Sequence, residues 1–206
     1  MSEFAATYDA LAPRWESWTG AVTPDPRAAW VGKLAGVVEP GEAVVELGCG
    51  TGAPVGAELA AHYTYTGVDA SGGMLDRARE WLPGATFLRR DMEDVEFAPA
   101  SLGAVVALYS IIHVPRERHA GLFEAIASWL RPGGALLATT HSRDSEDDYQ
   151  PDWLGGGPMR WSGFDAATNI SLIEAAGMEI VETDEIEQIE PEGTRIRPLW
   201  IFARRL

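Results

Sequence analysis

The chain of 206 residues has one cysteine, Cys49, and one lysine, Lys33. A lone cysteine excludes an intrachain disulfide and a cysteine metal cluster, and it fits a reducing, cytoplasmic setting. Positive charge is scarce, with 16 basic residues against 31 acidic and a formal net charge of -15. That field repels polyphosphate and anionic lipid, so neither nucleic acid nor a membrane surface is an expected partner. The arginine pairs Arg89-Arg90 and Arg204-Arg205 form no binding stripe. No apolar run approaches the roughly 20 residues of a membrane-spanning helix. The opening MSEFAATYDALAPRWESW lacks the basic-then-apolar order of a signal peptide. The four histidines include no pair with metal-ligand spacing, and no metal is expected.

What is present is an ordinary globular composition, 46% hydrophobic and 23% charged, at a length for which one domain over residues 1–206 is the default. Residues 2–18 and 26–38 read as helices, the second opened by Asp25 and Pro26, and together they form an N-terminal helical cap over 1–38. Short apolar runs of the buried-strand kind follow at Ala43 to Leu47, Thr64 to Val68, Thr86 to Leu88, Ala104 to Leu108 and Ala135 to Thr140. Helical stretches separate them at Val55 to His62, Gly73 to Leu82 and Glu117 to Leu130. A further helix spans Asp165 to Ala176, ended by Gly177. Continuous apolar strands alternating with helices predict an α/β fold: a doubly wound, mostly parallel sheet with helices on both faces. The alternating MEIVETDEIEQIE and the later TRIRPLWIFARRL predict an antiparallel C-terminal hairpin at the sheet edge, its glutamates a solvated face.

In VVELGCGTGAP the first strand runs into glycines at every second position, Gly48, Gly50 and Gly52. They permit a tight turn and a close approach of ligand to backbone. About 20 residues on, Asp69 ends the second strand, a position from which an acid accepts hydrogen bonds from ribose hydroxyls. Nucleoside binding follows. The spacing Gly48-x-Gly50-x-x-Ala53 also satisfies a loose dinucleotide pattern, so an NAD(P)-dependent oxidoreductase stays open on that motif alone.

The stretches VVELGCGTG, GVDASGGMLDRAR, FLRRDMEDVEF and ALYSIIHVPRERHAGLFEAIASWLRPGGALLATT resemble, in order, the motifs of the class I S-adenosylmethionine-dependent methyltransferases. The resemblance covers roughly Val44 to Thr140 and implies a Rossmann-like fold and S-adenosyl-L-methionine as cofactor, with S-adenosyl-L-homocysteine as product. It further implies that Glu46, Gly48, Cys49, Gly50 and Thr51 hold the methionine portion. Asp69 is implied as the ribose acid, with Ala70 and Met74 beside the adenosine, Asp91 and Met92 capping the adenine, and Tyr109 and Ser110 flanking the sulfonium. Arg131 to Gly134 match the turn into the fifth strand. The dinucleotide reading lacks a Tyr-x-x-x-Lys pair, and a pyrophosphate would meet Glu46.

His113, after the fourth strand, and His141, at the end of the fifth, fall where a donated methyl would emerge; with Tyr109 they are the catalytic candidates. His62 and His119 read as surface residues. Trp30, Trp81, Trp129 and Trp200 read as core. A glycine-rich, loop-like cap or lid insertion over 142–164 carries Trp153, Met159, Arg160 and Trp161, and the first helix carries Tyr8, Trp15 and Trp18. These residues, with His113, are the expected substrate contacts, and Arg160 could hold a carboxylate or join a surface ion pair. The expected reaction is in-line transfer of a methyl group to a small-molecule acceptor by a monomer or homodimer. A non-catalytic S-adenosylmethionine-binding accessory module is the alternative of another class.

Overall fold

A computed structural model of the protein describes residues 4–206. Five strands stand where the apolar runs predict them: β1 (Ala43–Leu47), β2 (Thr64–Asp69), β3 (Thr86–Arg89), β4 (Leu102–Ala107) and β5 (Leu130–Thr140). The helices are α1 (Ala5–Leu11), α2 (Trp15–Thr19), α3 (Arg27–Val31), α4 (Val55–His62), α5 (Gly72–Trp81), α6 (His119–Trp129) and α7 (Ala166–Ala175). Two are capped as their sequences dictate. Ser71 Oγ accepts the Met74 N–H at the head of α5, and Asp165 accepts the Thr168 N–H at the head of α7.

The remaining strands are β6 (Ser145–Gln150), β7 (Met159–Gly163), β8 (Met178–Glu185), β9 (Gln188–Ile189), β10 (Arg195–Ile196) and β11 (Leu199–Arg205). Seven strands make one sheet in the order β3-β2-β1-β4-β5-β11-β8. The pairs from β3 through β5 are parallel, and β11 runs antiparallel to both β5 and β8. Strand order reverses beside β1, which pairs with β2 on one side and β4 on the other, so a crevice opens past the carboxyl ends of β1 and β4.

Alternation along β1 divides the core. Val45 and Leu47 pack with Ile126 of α6 and Ile173 of α7, whereas Val44 packs with Trp30 of α3 and Leu59 of α4. Glu46 therefore points to the α3 and α4 side with Val44, although it is charged by type and 5% exposed.

Several expectations need correction. The stretch 2–18 is not one helix: Pro13, which has no N–H to donate, lies in a 3-10 turn at Ala12–Arg14 between α1 and α2. Residues 2 and 3 lie outside the described residues. The helix expected over 26–38 is α3 followed by a 3-10 turn bounded by Gly32 and Gly36. The insertion is not loop-like, since β6 and β7 pair antiparallel. Nor is the C-terminus a simple hairpin. β11 lies inside the sheet, β8 forms the edge, and a second small hairpin, β9 with β10, carries the predicted turn between them. His119 is buried, its Nε2 bonded to the Val114 carbonyl at 2.9 Å, because the helix start it occupies faces the core. Trp81, by contrast, is 61% exposed at the end of α5.

Candidate functional site

The turn after β1 is built by residues whose backbone donors are turned inward. The N–H groups of Gly48 and Cys49 both reach the Val68 carbonyl, at 2.8 and 3.0 Å, and that of Gly52 reaches the Cys49 carbonyl. Gly48 has φ +74°, and a Cβ there would lie 2.3 Å from that of Ser110. Ser110 is held in turn by its hydroxyl, which donates to the Leu47 carbonyl at 2.7 Å. At Gly50, φ +54°, an added Cβ would meet the Trp15 indole nitrogen at 3.3 Å. The two glycines are thus needed for conformation and for space.

Asp69, at the carboxyl end of β2, accepts the Gly50 N–H through Oδ2 and the Ser71 N–H through Oδ1, both at 2.8 Å. Burial raises its pKa to about 6 against the pull of those two donors. Each carboxylate oxygen keeps acceptor capacity for a ligand hydroxyl. With the amides of 48, 49, 50 and 52 committed within the protein, the turn does not offer those N–H groups to a pyrophosphate.

Glu46 accepts the Tyr65 hydroxyl at 2.6 Å, and burial lifts its carboxyl to about 8. Burial thus favours the protonated form of the acid. The inward-turned amides disfavour a pyrophosphate independently of the charge on Glu46. Cys49 is buried and its thiol is pushed up by burial, first, and by Asp69 and Glu46, as suits a packing residue.

Past β4, Tyr109 sits at φ +55° with its N–H on Thr139 Oγ1 at 2.6 Å. Its hydroxyl donates to Gln188 Oε1 at 2.7 Å, an orientation fixed because Gln188 Nε2 donates to the Pro24 carbonyl. An amide oxygen cannot take up a proton at neutral pH. The Tyr109 phenol, which also lines the cleft, thereby joins β9 to the N-terminal segment. His113 lies with Nε2 2.7 Å from the Tyr8 hydroxyl and Nδ1 3.1 Å from the Arg160 carbonyl. Burial lowers its imidazole to about 4. His141 is also lowered by burial, and its Nε2 is buried without a hydrogen-bond partner among the described residues.

These residues share one cleft of about 1640 Å³. That exceeds the roughly 300–1,000 Å³ common for one small ligand and leaves room for two. Of the expected cofactor contacts, Glu46, Gly48, Cys49, Gly50, Asp69 and Ala70 line it, as do Met74, Asp91, Met92, Tyr109 and Ser110. Thr51 does not. It is 1% exposed, its hydroxyl enclosed without a partner. Of the expected substrate contacts, Tyr8, Trp15, Trp18, Trp153, Arg160 and Trp161 line the cleft, together with His113 and His141. Met159 does not, being fully buried at the start of β7 within the insertion. The Arg160 guanidinium pairs with Asp147 and lies 4.5 Å from the Tyr149 ring centre, so the surface ion pair is the alternative found.

The aromatic residues from the two chain segments do meet. Tyr8 packs edge-on against Trp15 and Trp153, Trp15 stacks on Trp18 at 5.3 Å, and Trp153 meets Trp161 at 5.5 Å. The acidic C-terminal stretch contributes a wall that reading it as a solvated strand face missed. Gln188 is buried and lines the cleft beside Glu190, whose carboxyl burial, first, and Glu192 lift to about 7. The one sequence signal was an uncharged amide set among glutamates in EIEQIE.

Residues 44–134 match a family described as methyltransferase domain. Over 98 residues the chain is 39% identical to a trans-aconitate 2-methyltransferase of Methylobacterium nodulans, covering 45% of this chain and 36% of that protein. Over 145 residues it is 33% identical to a carboxy-S-adenosyl-L-methionine synthase of Chromohalobacter salexigens, covering 65% of this chain and 51% of that one. Over residues 44–134 the chain is thus similar to methyltransferase domains, the stretch that carries the resemblance read from the sequence. The chain spans between about a third and a half of the length of those two curated relatives. Its fold is similar to that of an S-adenosylmethionine-dependent methyltransferase from Methanosarcina mazei, with TM-score 0.74 and 18% identity over 84% of this chain and 97% of that one. A Mesorhizobium loti methyltransferase structure gives TM-score 0.70 and 22% identity over 88% and 98%.

Proposed function

We propose that the protein binds S-adenosylmethionine at the carboxyl ends of β1 and β2 and transfers its methyl group to a small-molecule acceptor held under the aromatic cap. One observation carries this reading. Asp69 is fixed at the cleft floor by the Gly50 and Ser71 amides, and its remaining acceptor sites suit ribose hydroxyls. Glu46, Gly48, Cys49 and Gly50 take the methionine portion, Ala70 and Met74 lie beside the adenosine, Asp91 and Met92 cap the adenine, and Tyr109 and Ser110 flank the sulfonium. The cradle suits a zwitterionic tail better than a pyrophosphate, because the Gly48, Cys49 and Gly50 amides are spent within the protein.

Bound there, the cofactor supplies an electrophilic methyl. The protein's own share is to orient the acceptor, exclude water and receive a proton when the acceptor carries one. Trp15, Trp18, Trp153 and Trp161 with Tyr8 supply the cover, from a cap over residues 4–38 and a lid over 142–164. The similarity to a trans-aconitate methyltransferase supports a metabolite acceptor. The acidic surface disfavours nucleic acid and anionic membrane, and no helix among the described residues is long and apolar enough to cross a membrane. We place the activity in the cytoplasm, in a monomer or homodimer.

Calorimetric titration with S-adenosylhomocysteine and, separately, NADH tests the cofactor half. Saturable binding of the first, weakened at least tenfold in Asp69→Ala, is expected; preference for NADH refutes it. The similarity to a carboxy-S-adenosyl-L-methionine synthase favours a second reading, in which the nucleoside site is kept and the reaction differs. Product mass separates the two, since only methyl transfer yields an acceptor heavier by one methylene.

A further inference from the structure

The His113 ring is placed between two partners that together settle its protonation. The Arg160 carbonyl, 3.1 Å from Nδ1, can only accept, so Nδ1 carries a hydrogen. A neutral imidazole then has its lone pair on Nε2, and the Tyr8 hydroxyl at 2.7 Å must be the donor. Phe4 and Trp161 flank the ring. Tyr8 reaches this position from α1, and its ring also packs against Trp15 and Trp153. The phenol oxygen thus has a proton acceptor beside it, and both residues line the shared cleft. No comparable arrangement exists at Tyr109, whose hydroxyl ends on an amide oxygen.

Resting on the function proposed above, we infer that Tyr8 is the catalytic residue that deprotonates the methyl acceptor, with His113 acting through it. As the acceptor heteroatom forms its bond to the methyl group and the sulfonium sulfur takes the pair of the breaking carbon–sulfur bond, the acceptor's proton passes to Tyr8 Oη. The phenol's own proton passes to His113 Nε2. The positive charge that leaves the sulfonium ends on the imidazolium, whose Nδ1–H still points at the Arg160 carbonyl, and it is discharged to solvent when the cleft opens.

The consequence is a substrate class. Burial keeps His113 a weak base, so the relay suits an acceptor whose proton becomes strongly acidic during transfer, a neutral phenolic or enolic hydroxyl or a ring N–H. A carboxylate acceptor has no proton to give and would leave the pair without a task. The other titratable groups facing the pair are His141 at the end of β5, which disfavours a charge on His113, and Asp69, which disfavours phenolate at Tyr8.

Two measurements decide it. The first needs no acceptor: nitrogen NMR of the histidine-labelled protein, free and with S-adenosylhomocysteine, is expected to show His113 neutral with its proton on Nδ1; an Nε2-protonated ring overturns the relay. The second uses S-adenosylmethionine with a panel of phenols, ring N–H heterocycles and di- and tricarboxylates, read by mass. Turnover is expected on the proton-bearing acceptors, falling about 10²-fold or more in Tyr8→Phe and His113→Gln. The wild-type rate should be flat from about pH 6 to 8, whereas in Tyr8→Phe it should rise about tenfold per pH unit as the acceptor loses its proton to solvent instead. Methylation of carboxylates alone, or a Tyr8→Phe rate and pH profile equal to wild type, overturns it. Binding of S-adenosylhomocysteine within about threefold of wild type in both variants separates this from failure of the cofactor site, in which the wild type itself would not bind.

Discussion

Asp9 and Ser71 are joined by a 2.5 Å hydrogen bond in which the Ser71 hydroxyl donates to Asp9 Oδ1, and the same oxygen accepts the Gly73 N–H at 2.8 Å. Ser71 also caps α5 by accepting the Met74 N–H. One carboxylate of α1 thereby locks the N-terminal cap onto the helix that follows the Asp69 strand. Glu16 of α2 adds a two-point pair with Arg77 of α5, at 2.8 and 3.0 Å. Asp9→Ala should loosen the cap without unfolding the sheet. Hydrogen exchange over residues 5–19 is expected to accelerate while β1 and β4 stay protected, and S-adenosylhomocysteine should bind about tenfold more weakly, as loss of about 1.5 kcal/mol of charge-assisted bonding implies. Unchanged exchange in α1 would show that the cap is held by its aromatic contacts alone.

Gly48→Ala should be among the most damaging single changes in the turn. The added methyl meets Ser110 Cβ at 2.3 Å, and φ +74° is unfavourable for alanine, so neither relief nor adaptation is local. A stability loss of roughly 2–4 kcal/mol in chemical denaturation is expected, with cofactor binding lost. The paired change Ser110→Gly removes the clash but not the dihedral strain and should restore only part of the loss.

Gln188→Ala should destabilise the protein although Gln188 is neither charged nor aromatic. The substitution strands the Tyr109 hydroxyl and the Pro24 carbonyl in a buried setting, at a cost of roughly 2–4 kcal/mol. The exposed neighbour Glu185→Gln should change denaturant midpoints by less than about 0.5 kcal/mol. Equal effects would mean that β9 contributes no specific anchoring.

Glu46 predicts a pH dependence of stability. Its carboxyl lies near 8 in the fold against an ordinary 4.5. Over that interval the native state keeps a proton the unfolded chain has released, so the stabilisation present below about 4.5 is lost as pH rises to 8, at up to about 1.4 kcal/mol per unit. Asp69, raised to about 6, acts in the same direction at lower pH, and Glu190, raised to about 7, adds to the loss until then. His113, lowered from 6.5 to about 4, works the other way, adding stability as pH climbs through that range. Above about pH 7 Glu46 dominates among these groups. Glu46→Gln should therefore flatten the fall in melting temperature between pH 7 and 8, whereas a slope equal to wild type would place the ionisation elsewhere.

How much of this was legible beforehand depended on how local the cause was. The five parallel strands, the bounds of α4 and the start of α7 at Asp165 follow from apolar runs and side chains that act within a few residues. The spacing from Gly48 to Asp69 likewise located the cleft, because a βα unit fixes where the end of each strand falls. Trp81 and His119 were misjudged together, since helical stretches of similar composition do not declare which turn faces the sheet. Met159 and Thr51 are both buried in the fold, which their place in the sequence does not declare.

By itself the sequence determined an α/β protein with a nucleoside-type turn, through hydrophobic periodicity and the dihedral freedom of glycine, both local properties. Only the tertiary structure decided that Glu46 is buried against the Tyr65 hydroxyl, that Tyr109 is tethered to Gln188, and that Tyr8 faces His113 across 105 positions of chain. Those outcomes depend on burial and on which distant groups share a cavity. Chain order cannot express either quantity, because desolvation and hydrogen bonding act through space.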